Sequence, residues 1–543
     1  MSKTTVVFGA AGTGKSTYII NELQARFKDP DGQSFAYITF TKASADDFKK
    51  RLQAKFNLEK DEVKALWVGT QHSLCLRLLG RDKEIVGVKD YKEFCSVLKI
   101  DFDEKKHRID DEILGGEINE SAAIGNKAVL LDQTCRLQMR AVTNTEMIQH
   151  FGGDFTTKDM EMFSREWKNW KAANNRLDFV DMLEKTIESN LTLPIKRIYF
   201  DEFQDVGTLQ YKVYALWRDA PAIERVLIAG DDDQAIFTFL GASPKFMLDE
   251  IGERIILGVN YRNPQGIYEH ARNLISLNKY RQKKEIVCIN KSKGIIEEID
   301  MSGGKPEDLV KHIHSNEPTF VLTRTNRQYL SICDVFDQLL IPYQRIKAGT
   351  PWTKEFLAFL EAVRKVEVAQ NEKLDPMELH AFIYNVPQKN YILRGSKQTL
   401  MKMFDPISFN QLKAQYLKNF DQPTLQSFAS GSEVRLATIT EAAISKLKSS
   451  RQRVISERYS VLKFPVLPKM DVWIGTIHSS KGLETNTVIL IDSIPRKVAN
   501  AILDNTAALE AERRVYYVAI TRPRERIVFV FNLFDRCESF LKR

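Results

Sequence analysis

A chain of 543 residues, 43% hydrophobic and 28% charged, has length for roughly three to four domains and enough apolar material to give them real cores. Its net charge of +8, from 79 Lys and Arg against 71 Asp and Glu, is mild, so its location matters more than its size. Six dispersed cysteines (Cys75, Cys95, Cys135, Cys288, Cys333, Cys537) without a CxxC pair, no apolar run of membrane-spanning length and an N-terminus, "MSKTTVVFGAAG", unlike a signal peptide argue against zinc sites, disulfide scaffolds and membrane partners, and a reducing, cytoplasmic location is expected.

In chain order, the short β-branched runs "TTVVFG", "FAYITF", "RIYFDEF" and "RVLIAGD" come first, each followed by a helical stretch. "TFVLTR", "VWIGTIH", "TVILID" and "RIVFVFN" form a second group. Such alternation predicts parallel sheets built from β-α-β units, and the break near residue 260 predicts two α/β cores. Residues 81–172 and 353–468 are charged and helix-patterned, and read as helical insertions, one in each core. The first core then takes residues 1–80 and 173–260, and the second takes 261–352 and 469–543. "FDQPTLQSFASGS" in the second insertion reads as a loop. Residues 376–468 carry 13 Lys and Arg against 6 Asp and Glu, so most of the net charge falls in that insertion.

"GAAGTGKS", residues 9–16, follows a predicted strand and opens a helix, the setting a phosphate-binding loop needs. Gly9, Gly12 and Gly14 let the backbone wrap phosphates, with Ala10, Ala11, Thr13 and Thr17 completing the cradle. Lys15 would reach the β- and γ-phosphates and Ser16 would ligate Mg²⁺. "IYFDEFQD" delivers Asp201 and Glu202 to the C-terminal end of a strand, where open α/β sheets bind ligands. Asp201 suits the Mg²⁺ site, and Glu202 suits orientation or deprotonation of an attacking water. Arg262 in "VNYRNP" and Arg522 in "YYVAITRPRE" are the candidate cations for the γ-phosphate. "GDDDQAIFTFLGAS", residues 230–243, poses a separate problem: three consecutive aspartates end a buried strand, and burying them unpaired is costly.

The motif order resembles superfamily 1 helicases of the UvrD, Rep and PcrA group. The resemblance runs from residue 9 to about 530 through "GAAGTGKS", "TFTKASADDFKKRL", "VGTQHSLCLRLL", "LDFVDML", "FDEFQD", "GDDDQAIFTFLGA", "VNYRNP", "GTIHSSKGLE" and "EAERRVYYVAITR". It implies two RecA-like parallel-sheet cores, each with a mainly helical insertion, that hydrolyse ATP with Mg²⁺ and act on single-stranded DNA and single-strand/duplex junctions. By the same resemblance Gln234 senses the γ-phosphate, Tyr261 stacks on the base, and Gly482 and Glu484 contact the nucleotide. Phe40, Thr41, Thr70, His72, Ser73, Phe237, Phe239, Thr476, His478 and Ser480 fall on the DNA side. Mg²⁺, Lys15 and incoming arginines would offset the acidic run.

Four departures stand out. Only eight residues precede Gly9, so the family's upstream glutamine motif is not expected in this sequence. Its Trp-Arg-Gly-Ala is here Phe239-Leu240-Gly241-Ala242, Pro523 follows Arg522, and "TFTKASA" lacks one residue of the usual asparagine-lysine pair. No nuclease domain is expected after "TRPRE". The resemblance implies translocation along single-stranded DNA, 3′ to 5′, with duplex unwinding. The alternative is a DNA-stimulated ATPase that strips or remodels protein–DNA complexes without unwinding.

Overall fold

The structure is a computed structural model that describes residues 3–26, 34–80, 83–104, 123–238, 241–315, 317–420, 424–427, 434–534 and 537–542. Its first large sheet contains β1 (Lys3–Gly9), β2 (Phe35–Thr39), β3 (Trp67–Thr70), β4 (Arg197–Phe200), β5 (Arg225–Gly230) and β6 (Glu253–Leu257). The strand order is β3-β2-β4-β5-β1-β6, with every neighbouring pair parallel. Alternate residues serve opposite faces. Val6, Phe8, Ala36, Ile38, Ile198, Phe200, Val226 and Ile228 share one apolar cluster. Their neighbours Val7, Phe35, Tyr37, Tyr199, Leu227 and Ala229 share another. Strands buried on both faces read as unbroken apolar runs, which is why the four inner strands were predicted. The edge strands β3 and β6 were not, because β6 is half exposed and carries Glu253 and Arg254.

The second large sheet contains β7 (Ile295–Asp300), β8 (Thr319–Thr323), β9 (Gln344–Arg345), β10 (Val472–Thr476), β11 (Thr485–Asp492) and β12 (Pro523–Phe531), in the order β7-β12-β11-β8-β10-β9. The pairs β7–β12, β11–β12 and β9–β10 are parallel. The two-sheet α/β architecture expected from the sequence is therefore present, with the break between sheets after Leu257. Edge strand β7, "IIEEID", again hides behind its glutamates.

By compactness the chain divides into two units, residues 1–302, 322–326 and 476–543 in one, 303–321 and 327–475 in the other. In the first, helices Val88–Val97, Ile124–Leu137, Thr145–His150 and Thr157–Ala173 close on their own core of Tyr91, Phe94, Leu131, Met160, Phe163 and Trp167. In the second, helices Lys354–Val368, Pro376–Asn385 and Ile439–Ser445 bury Phe359, Leu360, Phe382, Ile383 and Ala443. There Arg451 pairs with Asp334 and Asp337. The loop expected at "FDQPTLQSFASGS" is partly a hairpin: Thr424–Ser427 pairs antiparallel with Val434–Ala437. Residues 421–423 and 428–433 of that region lie outside the described residues. Among the described residues no helix is long and apolar enough to cross a membrane.

A buried ion network ties the first helical stretch to helix Phe179–Glu188, whose Val180, Met182 and Leu183 belong to the core of the first sheet. Arg136 donates to Asp178 at 2.9 Å and to Asp181 and Glu184 at 2.6 Å each. Lys171 reaches Asp178 and Asp181, and the Trp167 indole N–H donates to Asp178 at 3.1 Å. Burial raises the Asp178 pKa, but Arg136 and Lys171 outweigh it and hold the carboxyl well below its usual range. Removing one member of a buried ionic network leaves its partners uncompensated, at a cost of about 3–5 kcal/mol. Arg136→Met is expected to expose residues 123–173 to protease and hydrogen exchange well before the first sheet. Unchanged exchange in that segment would show that the network does not hold it.

Candidate active site

Parallel pairing of β4, β5 and β1 places three strand ends side by side. Gly9 leads into the glycine-rich loop, Phe200 into Asp201 and Gly230 into Asp231. Gly12 and Gly14 have φ of +73° and +78°, which glycine adopts without strain. A Cβ on Gly12 would lie 2.5 Å from the Arg262 Cβ and 2.8 Å from the Asn260 Oδ1. The Gly12 carbonyl also accepts from the Tyr261 N–H at 2.9 Å, so the loop and "VNYRNP" meet backbone to backbone. Lys15 opens helix α1 (Lys15–Arg26), and its ammonium donates to the Gly9 and Ala10 carbonyls at 3.1 and 3.4 Å.

The Ser16 hydroxyl donates to Asp201 Oδ2 at 2.5 Å, and the Tyr37 hydroxyl to the same oxygen at 2.9 Å. Ser16 and Asp201 thus bring together a hydroxyl and a carboxylate, hard oxygen donors of the kind Mg²⁺ takes alongside water and phosphate. Burial, followed by the neighbouring Glu202 charge, raises the Asp201 pKa. Burial would raise that of Glu202 too, but Lys15 and Lys481 overcome it, so Glu202 titrates below its ordinary value and is ionised near neutral pH. Glu202 sits at φ +58°, and Gln204 donates to its carboxylate at 2.6 Å.

Asp231, Asp232 and Asp233 are fully buried and lie close enough together to share one cation. Their chief counter-charge differs from the expected one. Lys284, itself buried, reaches Asp231 Oδ1 at 3.0 Å, Asp233 Oδ2 at 2.9 Å and the Asp232 carboxylate. Arg281 makes a two-pronged pair with Asp233, and the Gln282 N–H donates to Asp232 at 2.8 Å. Burial pushes the Asp231 carboxyl up, but Lys284 first and Lys15 second bring it below its ordinary value. Lys15 therefore contributes as expected, while the main cation comes from "YRQKKE", a stretch without a motif.

Gln234 donates from Nε2 to Asp231 Oδ2 at 2.6 Å and accepts at Oε1 from Arg522 Nη2 at 2.9 Å. Arg522 is only 1% exposed and also donates to the Val518 and Leu483 carbonyls. Burial, and then Arg262, lower its pKa to about 9, so it keeps its charge at pH 7. Helix Thr506–Ile520 ends just before it and β12 begins at Pro523, as a proline in the next position favours. Lys481 donates to Asp205 at 2.6 Å and to the Gln234 carbonyl. Arg262 donates to Glu484 at 2.5 Å, and Arg524 pairs with the same carboxylate. Gly482 takes φ +83° in the intervening turn. Tyr261 is 66% exposed, leaving its ring open beside the loop.

The DNA-side candidates divide into two groups. Thr41 and Thr70 cap helices Lys42–Phe56 and Gln71–Leu79, accepting from the Ser44 and Ser73 N–H groups, and Ser73 is exposed. His72 packs edge-on to Phe179, and burial lowers its pKa to about 4. Phe237 is buried, stacked on Phe40 with centroids 5.6 Å apart, and Lys481 lies 5.1 Å over its ring. Thr476 ends β10 and His478 and Ser480 lie in the turn after it, all three buried, with the His478 ring 6.5 Å from that of Phe237. Burial, then Arg324 and Lys481, hold His478 neutral. Phe239 lies outside the described residues. Asp205, Lys481, Arg281, Lys284 and Arg514 belong to the site but were not assigned from the sequence. The first two stand inside quoted motifs, and Arg514 stands in "EAERRVYY".

Residues 1–253 match the sequence model of the UvrD/REP helicase N-terminal domain, and residues 465–533 that of the UvrD-like helicase C-terminal domain. A Staphylococcus epidermidis protein named ATP-dependent DNA helicase PcrA is 23% identical, over 98% of this chain and 82% of its own length. A Staphylococcus aureus protein of the same name is 22% identical, over 96% of this chain and 80% of its own.

The two glycines of the loop allow a direct comparison. An alanine at either site adopts a left-handed backbone at about 1–2 kcal/mol. Gly12→Ala must also push aside Arg262 or Asn260, which adds about 1–3 kcal/mol. At Gly14 the nearest atom to a new Cβ is 3.9 Å away. Gly12→Ala is therefore expected to lower the urea midpoint of the nucleotide-free protein clearly more than Gly14→Ala. Equal midpoints would mean the loop does not rest on "VNYRNP" in solution.

Proposed function

Since the chain belongs to the UvrD/Rep/PcrA group of superfamily 1 helicases, we propose that it hydrolyses ATP to translocate 3′ to 5′ on single-stranded DNA and to unwind duplex at junctions. The observation that carries the hydrolytic half is the placement of Glu202 beside the Ser16–Asp201 pair, where Lys15 and Lys481 lower its pKa. The relatives' names and the matched families support DNA as the track. The direction rests on the motif resemblance.

In this reading the loop N–H groups and Lys15 bind the β- and γ-phosphates. Lys15 exchanges the Gly9 and Ala10 carbonyls for phosphate oxygens, which are better partners for an ammonium. Ser16 and Asp201 would hold Mg²⁺, which would supply charge neutralisation of the phosphate oxygens. Glu202 accepts a proton from the attacking water. Gln234 and Arg522 present a donor amide and a guanidinium to the transferred phosphoryl group, where charge stabilisation accelerates the reaction. Tyr261 stacks on the base. Phe40 and Phe237 form the aromatic surface for bases, and Phe237 opens its face only if Phe40 or Lys481 moves. His72 and His478, both neutral, contact DNA by hydrogen bonding or packing and not as cations.

Removing a general base costs about 10²–10⁴-fold. Glu202→Gln is expected to bind ATP with nearly unchanged affinity and to hydrolyse it at least ~100-fold more slowly. Near-wild-type turnover in that variant would remove Glu202 from the role. Strand displacement tests the motor: a duplex with a 3′ single-stranded tail should be unwound in the presence of ATP, and one with only a 5′ tail should not. Unwinding of the 5′-tailed duplex alone would reverse the polarity. ATP-driven movement on single strands without displacement of either duplex would leave a translocase that strips proteins.

A further inference from the structure

Lys284 belongs to none of the motifs, yet it is one of the most enclosed charges in the molecule, with a side chain 1% exposed. Its ammonium is shared by Asp231, Asp232 and Asp233. The contact with Asp231 is made at Oδ1, at 3.0 Å. The other oxygen of that carboxylate, Oδ2, accepts from Gln234 Nε2 at 2.6 Å. The two contacts split one carboxylate between a cation and an amide. They also fix which way the amide faces. Arg522 can only donate, so Gln234 must offer it Oε1, and only an accepting Asp231 leaves Nε2 with a partner on the other side.

The surrounding segment is held in place as well. The Asn278 side chain donates to the Glu510 carbonyl at 2.9 Å and the Lys279 N–H to the Glu510 carboxylate at 2.8 Å. Arg514 donates to the Tyr280 carbonyl at 2.8 Å and to the Asp232 carbonyl at 3.2 Å. Glu510 and Arg514 lie on helix Thr506–Ile520, the helix that ends at Arg522. Lys284 therefore stands between the acidic strand end and the helix that supplies the arginine.

We propose that Lys284 is a positioning residue for ATP hydrolysis: by holding Asp231 at Oδ1 it fixes the Gln234 amide and, through it, the guanidinium of Arg522. The inference rests on the reading of Gln234 and Arg522 as the groups that face the transferred phosphoryl. Lys284 touches neither nucleotide nor water in this scheme. Its loss leaves ATP binding to the loop and Lys15 and lowers the chemical step.

The test is a double-mutant cycle with Lys284→Met and Gln234→Ala, read as kcat and KM for ATP at saturating single-stranded DNA. Nucleotide stoichiometry, measured with a non-hydrolysable ATP analogue, counts the folded sites. Lys284→Met is expected to lose about tenfold or more in kcat, on the scale of one lost charge-stabilising donor, with analogue affinity within about threefold and full stoichiometry. In the Gln234→Ala background the same substitution should cost less than about threefold, because residues acting through one another are not additive. A full tenfold multiplication in both backgrounds, or wild-type kcat in Lys284→Met, overturns the proposal. If Lys284→Met does not fold, Lys284→Met/Asp232→Asn removes one charge of each sign and still leaves Asp231 without its anchor, so the same losses are expected of it and the same outcomes overturn the proposal. A Gln234→Ala variant that hydrolyses ATP at the wild-type rate would overturn the underlying reading and this inference with it. A slow Gln234→Ala beside a wild-type Lys284→Met would overturn this inference alone.

Discussion

The rest of the site depends on an electrostatic constraint that the sheet imposes. Parallel strands all present their C-terminal ends on one edge, and in this chain β4 and β5 each end in carboxylates. Asp201, Glu202, Asp205, Asp231, Asp232 and Asp233 are thereby gathered beside the loop that is to receive a triphosphate. Such a cluster is tolerable only if cations enter it, since burying an unpaired carboxylate costs far more than a surface ion pair returns. Three cations of the site each answer particular acids: Lys284 the three consecutive aspartates, Arg281 Asp233, and Lys481 Asp205. Lys15 acts through space on Asp201, Glu202 and Asp231.

The same constraint explains why neighbouring acids of the cluster titrate in opposite directions from their ordinary values. Asp201 and Asp232 titrate above the ordinary carboxylate range because burial and adjacent carboxylates dominate there. Glu202 and Asp231 titrate below it because a lysine field exceeds the burial cost. Glu202, the proposed base, and Asp231, which accepts from Gln234, are thus held toward the ionised form next to groups that take a proton more readily. Pairs of titratable groups pushed apart in this way are the usual mark of a divided catalytic task.

The sequence revealed what is contiguous and concealed what is brought together only through space. Inner strands such as "TVVFG" and "RVLIAG" are buried on both faces and announce themselves. Edge strands β6 and β7 carry charge toward solvent and do not. The loop and "FDEFQD" are short stretches whose local geometry does the work, so Lys15, Ser16 and Asp201 could be singled out from them, Gln234 followed from the resemblance, and the structure brings all four to one edge. Three adjacent aspartates also made it plain that a cation was needed. Which cation could not be read, because Lys284 lies about fifty residues along the chain in a segment without periodicity, an example of non-local packing overriding local pattern. The aromatic surface shows the opposite limit. The resemblance marked Phe237 and Phe239 as stacking aromatics, but only the fold shows Phe237 enclosed by Phe40 and Lys481.

Lys481 joins these two halves of the site. Its ammonium donates to Asp205 and to the Gln234 carbonyl, and it is the cation over the Phe237 ring. An ammonium has three protons in a compact head, so it cannot follow one partner without loosening its hold on another. Any displacement of Gln234 toward a bound phosphate alters one of the anchors that fix Lys481 above the aromatic face. Since a cation–π contact contributes about 0.5–2 kcal/mol and base stacking about 1–3 kcal/mol, the two are close enough in size for one to replace the other. If bases stack on Phe237 as proposed, an exchange of that order would be large enough to bias which face of the ring is open and small enough to reverse on every cycle.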